Sequence, residues 1–338
     1  MTIAVKDPAV VTDPACPPSS SSPAGAGRTP ADPGLWAITG VSALAVLALM
    51  IHNGLTVLVA SPAFFALAGA LAAMAFGMRR GSRRATPGQC RLHDLCEVGL
   101  VMTALVALGA VASYQLAAMS EGFHDATLQR WDEAMHFDWL ALYRFVVRHP
   151  VVQYVGSAAY NSAFLSPWTI VIWHCWRGER AAAREFVITF WCAIVLTLAL
   201  FPLFPAQGAL DYLWHGVVPY SPSNGLDQGL VITGLRSHAI TTIDLATVTG
   251  LVSAPSFHTA CGVLFIVFGW RIRPLRGVIV PLNVMLLLAT PVEGSHYASD
   301  MVIGALVAGV AILGVAMRQP ILARLKRAGI NRPVPLAQ

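Results

Sequence analysis

Eight apolar runs follow one another along this sequence, and they restrict the fold more than any other feature of the chain. A helix needs about 17 to 25 residues to cross the hydrocarbon core of a bilayer. The runs therefore predict an all-α integral membrane protein, a helical bundle with about eight transmembrane helices. The sixth and seventh runs are short, which predicts that their outer ends stop inside a cavity. The runs are Trp36–Ile51, Gly54–Gly77, Val98–Met119, Val151–Trp176, Phe186–Phe204, Ser256–Trp270, Gly277–Val292 and Met301–Met317.

The charged residues support a membrane location and indicate an orientation. Only 12% of the 338 residues are charged, whereas a soluble domain has about 25%. Cytoplasmic loops carry an excess of Lys and Arg. With both termini inside, only Arg130, Arg144, Arg148 and Arg236 of the 22 Lys and Arg face outward, which leaves 18 inside. We therefore predict a multi-pass protein of the inner (cytoplasmic) membrane with both termini cytoplasmic. The net charge of +5 then needs no nucleic acid to explain it.

The composition also divides the chain into segments. Residues 1–34 are rich in Pro, Ser, Ala and Gly without an apolar run, which predicts a disordered cytoplasmic tail. We assign residues 35–120 to N-terminal transmembrane helices, 121–317 to a catalytic membrane domain and 318–338 to a basic cytoplasmic tail. The six cysteines are scattered without metal-ligand spacing, which predicts reduced thiols.

An amphipathic segment, Ala126–Arg148, lies between the third and fourth runs. Its apolar residues recur at steps of three and four, and acids and arginines fill the other face. This pattern predicts one amphipathic helix, either in the outer membrane interface or packed over the bundle. The apolar positions are Leu128, Trp131, Met135, Trp139, Leu142 and Val146.

Two polar strings stand at the ends of apolar runs, Pro255–His258 and His296–Asp300. Residues four apart share one face of a helix, so Asp300 can hydrogen-bond one ring nitrogen of His296 and leave the other as a base or nucleophile. His258 can then serve as the acid. The predicted topology puts both strings on the outer face, although the runs were counted without reference to them. We therefore expect one site facing the periplasm or exterior.

The two strings resemble the second and third motifs of the PAP2 (type-2 phosphatidic acid phosphatase) superfamily, Pro-Ser-x-His and His-x-x-x-Asp. Phe204–Ala209 and Gly234–Ser237 also look like the branch that contains inositol phosphorylceramide synthases, and the resemblance covers roughly residues 126–314. It implies a PAP2-like core in which His296 is the nucleophile, its carboxylate partner fixes the tautomer, and the histidine of the second motif is the general acid. It implies neither a metal nor a cofactor.

The phosphoryl group also needs positive surroundings. Ser256 follows a proline, which disfavours helix before it, and serine is a favoured N-cap. A helix that begins here directs free N–H groups toward an anion, although plain capping is the alternative. Arg236 is the candidate phosphate clamp, with a solvated or headgroup-facing arginine as the alternative. The Lys and Arg-Pro first motif of PAP2 enzymes is absent, which favours the phosphotransferase-like branch over an ordinary phosphatidate phosphatase.

Further polar residues are candidates for the wall of the pocket. A carboxylate at the mouth of the seventh run can orient His258 or bind a sugar hydroxyl, and an acid in the outer loop can recognise a polyol. A structural or solvated role is the alternative for each of them. These candidates are Glu293, Gln207, Tyr160, Asp244 and His238.

The sequence thus predicts a membrane phosphoesterase or phosphotransferase that acts on a lipid phosphate through a phosphohistidine. Its partners would be the bilayer, a phospholipid substrate and a lipid or polyol acceptor, as in an inositol phosphorylceramide synthase. A simple lipid phosphate or pyrophosphate phosphatase is one alternative. A metal-binding protein with His258, His296 and Asp300 as ligands, or a non-catalytic membrane protein, is the alternative of another class. The sequence does not indicate an oligomeric state.

Overall fold

The computed structural model describes residues 31–81 and 86–327, with side chains through residue 318. Residues 1–30 of the predicted tail 1–34 and residues 328–338 of the predicted tail 318–338 lie outside the described residues, whereas residues 318–327 continue the last helix. Two short strands, β1 (Thr56–Val57) and β2 (Thr242–Ile243), pair in parallel with Thr56 opposite Thr242. The helices are α1 Pro33–Asn53, α2 Pro62–Gly81, α3 Pro87–Met119, α4 Asp125–Ala134, α5 Trp139–Arg148, α6 Pro150–Asn161, α7 Ser166–Arg177, α8 Arg180–Leu200, α9 Ala209–Leu213, α10 Gln228–Arg236, α11 Phe257–Trp270, α12 Arg276–Glu293 and α13 Ala298–Arg327.

Six of the described helices, α1, α2, α3, α8, α12 and α13, are long and apolar enough to cross a membrane, and α11 is apolar but shorter. The predicted fourth span, Val151–Trp176, is instead divided into α6 and α7 by a 3₁₀ turn at Ser162–Phe164. Pro167 lies in the first turn of α7, where its missing N–H is tolerated, whereas it would interrupt a continuous helix. The prediction of an all-α multi-pass membrane protein is confirmed, and the number of eight spans stays a prediction.

The amphipathic segment forms two helices, α4 and α5, so the prediction of one continuous helix was wrong. His136 has a φ of 59° in the connection, and the Asp138 side chain accepts a hydrogen bond from Ala141 N to begin α5. Leu128 and Tyr143 are fully buried. Part of the apolar face therefore packs over the bundle, whereas Trp131 and Met135 are exposed. An interfacial position of the segment stays a prediction.

A buried ion-pair cluster joins three helices at one end of the bundle. Arg180, at the start of α8, places Nη2 2.7 Å from Oε2 of Glu97 on α3. The other carboxylate oxygen of Glu97 accepts a 2.6 Å hydrogen bond from the backbone N–H of Asp32, which caps α1. The N-terminal helix is thereby anchored to the bundle at the end where α3 and α8 begin.

The opposite end holds the starts of α11 and α13 side by side. The backbone N–H of Ser256 donates to the carbonyl of Asp300 at 3.2 Å. Gly304 makes this approach possible, because a β-carbon there would overlap the main chain of Ser256. Close packing of the two helices brings the two polar strings of the sequence together.

Candidate active site

His296 and Asp300 form the buried centre of the site. Nδ1 of His296 donates to Oδ2 of Asp300 at 3.3 Å, lies 3.1 Å from Oδ1 of the same carboxylate, and lies 3.0 Å from the backbone carbonyl of Ser253. Both partners are acceptors, so Nδ1 must carry the proton and Nε2 must carry the lone pair. His296 is 2% exposed and Asp300 is fully buried. The pair therefore presents Nε2 as a nucleophile or base.

His296 lies just before α13 rather than on it, which the sequence analysis did not anticipate. Asp300, in the first turn of that helix, accepts a 2.9 Å hydrogen bond from the backbone N–H of Tyr297. Ser295 has a φ of 56°, a conformation that non-glycine residues adopt uncommonly. Its hydroxyl accepts from Leu210 N at 2.8 Å. These contacts bend the chain so that the histidine faces back toward the carboxylate.

Two carboxylates of α4 hold the same turn from the outside. Asp132 accepts hydrogen bonds from the backbone N–H groups of Ala298 at 2.9 Å and Ser299 at 2.8 Å, and so caps α13. Asp125 accepts the Tyr297 hydroxyl at 3.0 Å. Burial raises the pKa of Asp125, although hydrogen bonds from the backbone of residues 207 and 208 and from this hydroxyl oppose the rise.

His258, at the start of α11, faces His296 with ring centroids 6.2 Å apart. Its Nδ1 lies 3.0 Å from the hydroxyl of Tyr160, and the two rings stack at 4.4 Å. His258 is half-buried. A single phosphoryl group can therefore lie between the two imidazoles.

Ser256 is the N-cap of α11, and its hydroxyl accepts a 3.2 Å hydrogen bond from Thr259 N. The first N–H groups of a helix have no partner within the helix. The start of α11 therefore adds partial positive charge beside His258. An anion-binding role for Ser256 stays a prediction.

Glu293 is 1% exposed and does not contact His258 in the described structure, where Tyr160 takes that place. Its carboxylate accepts the Tyr220 hydroxyl at 2.6 Å and the Ser223 hydroxyl at 2.7 Å. Glu293 thus fastens the loop that precedes α10 to the end of α12.

The remaining predicted residues contact groups other than His258 and His296. Arg236 donates from Nη2 to Ser120 Oγ and to the Gly122 carbonyl, both at 2.8 Å, so a phosphate clamp at this residue stays a prediction. Gln207 lines a polar cleft of about 500 Å³ beside α9. Asp244 caps its own turn at Ala246 N, and His238 is exposed at the end of α10.

The metal alternative gains no support at the site. Among the described residues, the group whose side chains come close enough to share a metal ion is His93, Asp94 and Glu97. Arg180 already pairs with both of these carboxylates. His258 and His296 do not belong to that group.

Several contacts of the site could not be found in the sequence. The carbonyl of Ser253 is a backbone group, so no residue type in the sequence predicts that it accepts a hydrogen bond from His296. The acids of Ala126–Arg148 were assigned to the polar face of the segment, whereas Asp132 is buried, and Asp125, which precedes the segment, is buried as well. An acid on an amphipathic segment looks the same in sequence whether it is buried or solvated.

Comparison with known proteins agrees with this geometry. The family model of the PAP2 superfamily matches residues 126–314, more than half of the 338 residues. No curated protein and no solved structure matches the chain, and the inositol phosphorylceramide synthase-like branch stays a prediction. Members of the superfamily are phosphatases and phosphotransferases, so an enzyme of that general kind is indicated. Because the matched segment covers most of the chain and contains both histidine strings, the chain belongs to the PAP2 superfamily.

Proposed function

We propose that this protein transfers the phospho-head group of a lipid at the outer face of the membrane through a phosphohistidine on His296. The observation that carries the proposal is the pair of imidazoles 6.2 Å apart, one of them held at Nδ1 by Asp300. A nucleophile, a carboxylate that stabilises its cation and a second proton-transfer group are the parts that such a reaction needs.

In the first step, Nε2 of His296 attacks phosphorus, and the P–N bond forms as the P–O bond to the lipid alkoxide breaks. His258 gives its proton to the departing oxygen. The ring of His296 becomes positively charged, and the carboxylate of Asp300, 3.1 Å from Nδ1, stabilises that charge. The start of α11 supplies partial positive charge to the phosphoryl oxygens.

In the second step, a hydroxyl group attacks the phosphohistidine, the P–N bond breaks, and His258 takes the hydroxyl proton. A lipid or polyol hydroxyl gives a transferase, whereas water gives a phosphatase. We favour the transferase because the PAP2 motif with Lys and Arg-Pro is absent from the sequence.

The outward orientation of the site rests on charge. The four Arg outside and the 18 Lys and Arg inside follow the positive-inside rule. The helix ends that carry His258 and His296 are opposite to the end that carries Arg180 and Arg271, so the site would face the exterior.

A substrate panel tests the proposal. Purified protein in detergent micelles receives labelled phosphatidylinositol with ceramide or diacylglycerol, and in parallel phosphatidate or undecaprenyl pyrophosphate. We expect head-group transfer that vanadate inhibits, that EDTA leaves unchanged and that His296→Ala abolishes. His52→Ala, an exposed histidine at the end of α1, is the matched control. Normal turnover in His296→Ala would overturn the proposal, and release of free phosphate without transfer would favour the phosphatase.

A further inference from the structure

Tyr160 belongs to the site, but the proposed reaction gives it no role. It lies on α6, is 3% exposed and contacts His258 in two ways. Its hydroxyl lies 3.0 Å from Nδ1, and its ring stacks on the imidazole with an interplanar angle of 26°. A ring held through one nitrogen and one face has little rotational freedom. The orientation of His258 is therefore set by Tyr160.

The position of Gly294 shows which atoms lie beside one small space. A β-carbon on Gly294 would lie 2.8 Å from the hydroxyl oxygen of Tyr160 and 3.0 Å from Nε2 of His296. These two atoms therefore lie near the same point of the main chain. Because the Tyr160 hydroxyl occupies Nδ1 of His258, Nε2 is the nitrogen of that ring left for a substrate.

We infer that Tyr160 is a positioning residue that restricts proton transfer by His258 to its Nε2 atom. This inference rests on the proposed function and deepens it. A phenol hydroxyl both donates and accepts, so it satisfies Nδ1 whether or not that atom bears a proton. When the ring is cationic, Nδ1–H donates to Tyr160 and Nε2–H is the proton that the departing alkoxide takes. Nε2 is afterwards free to accept the proton of the attacking hydroxyl group.

Loop contacts hold Tyr160 in place. The side chain of Asn224 hydrogen-bonds the Tyr160 hydroxyl, and the backbone N–H of Asn224 donates to the carbonyl of Glu293 at 2.9 Å. The carboxylate of Glu293 fastens the same loop through Ser223. Glu293 therefore acts on His258 indirectly, through the loop and Tyr160.

The leaving group provides the test. An alkoxide needs a proton to depart, whereas a nitrophenolate departs without one. A residue that positions the general acid therefore matters only for the alkoxide leaving group. Tyr160→Phe keeps the stacked ring and removes the hydroxyl. We expect a roughly 10- to 100-fold loss of turnover on the lipid phosphate and a nearly unchanged burst of nitrophenolate from a nitrophenyl phosphate ester.

Two comparisons make the test decisive. His258→Ala should show the same selectivity for leaving group, and adding Tyr160→Phe to it should cause no further loss. Tyr154→Phe, on the same helix but 78% exposed, should match the wild type on both substrates. Equal losses of Tyr160→Phe on both substrates, or additive losses in the double variant, would overturn the inference. Full turnover of His296→Ala on both substrates would instead remove the proposed function itself.

Discussion

Nδ1 of His296 lies 3.1 Å from Oδ1 of Asp300 although the histidine precedes the helix that carries the aspartate. The same nitrogen also approaches the Ser253 carbonyl at 3.0 Å. The two acceptors differ in charge, and only the carboxylate can stabilise a cation on the ring. The Ser253 carbonyl can therefore hold the tautomer of His296, whereas stabilisation of a positive charge on the ring depends on Asp300.

Asp300→Asn tests this difference between the two acceptors. The amide leaves the Ser253 carbonyl to hold the tautomer but removes the negative charge beside His296. We expect kcat to fall by about 10²- to 10³-fold, the loss that is typical when one electrostatic stabiliser of a transition state is removed. KM should change little. Steady-state kinetics on the lipid phosphate measure both constants, and Glu185→Gln, an exposed ion-pair partner of Arg271, is the control. A kcat near that of the wild type would show that the charge of Asp300 is dispensable.

Gly294→Ala probes the space in front of His296, the proposed nucleophile. Gly294 has a φ of −106°, which alanine adopts without strain, so the effect comes from the added methyl group alone. That group would lie 2.5 Å from Cδ2 of His296 and 2.8 Å from the Tyr160 hydroxyl, closer than van der Waals contact allows. We expect a loss of turnover of about 10²-fold or more, of the size seen when catalytic groups are misplaced by about 1 Å.

Gly309→Ala on α13 is the matched control for this substitution. A β-carbon at Gly309 would meet nothing within 4 Å, so its turnover and thermal midpoint should not fall. Equal activity of the two alanine variants would contradict the assignment of this space to the substrate.

The sequence predicted the parts of this site that depend on periodicity and on local strings. Apolar runs of membrane length have few alternatives to a helical structure. The four-residue spacing of His296 and Asp300 permits contact between their side chains. Both histidine strings then meet because α11 and α13 begin at the same end of the bundle. The break between α6 and α7 was missed, although Asn161, Ser162 and Ser166 interrupt the apolar run and Pro167 is typical of a first helical turn.

Contacts that depend on distant segments could not be predicted in this way. Asp132 and Arg236 both belong to segments that look solvated in sequence, yet Asp132 is buried against the start of α13. Arg236 donates to Ser120 and Gly122 and lies over the ring of Phe123. Charge alone identifies neither partner, because tertiary packing decides which polar group finds a buried acceptor.

Asp132→Ala tests whether α4 positions the turn that carries His296. The substitution leaves two backbone N–H groups of α13 without their acceptor, and each lost buried hydrogen bond costs about 1–3 kcal/mol. We expect a lower thermal midpoint in detergent together with a lower kcat, because the turn that carries His296 loses its support.

Asp138→Ala is the comparison for that variant. Asp138 caps α5 through Ala141 N but is exposed, so its removal should cost about 1 kcal/mol and leave kcat unchanged. If Asp132→Ala lost stability but kept the wild-type kcat, the α4 carboxylate would be a cap without influence on the turn.

Asp211, on α9 beside the polar cleft, predicts a pH dependence of stability. Burial, and then the neighbouring charge of Asp227, raises the pKa of Asp211 to about 6, whereas an aspartate in an unfolded chain has a pKa of about 3.9. Between these values the folded protein holds more protons than the unfolded chain, so the free energy of unfolding falls as the pH rises from about 4 to about 6. Asp211→Asn removes this titration and should flatten that part of the profile of thermal midpoint against pH. A profile of Asp211→Asn that runs parallel to the wild type would mean that Asp211 titrates alike in the folded and unfolded protein.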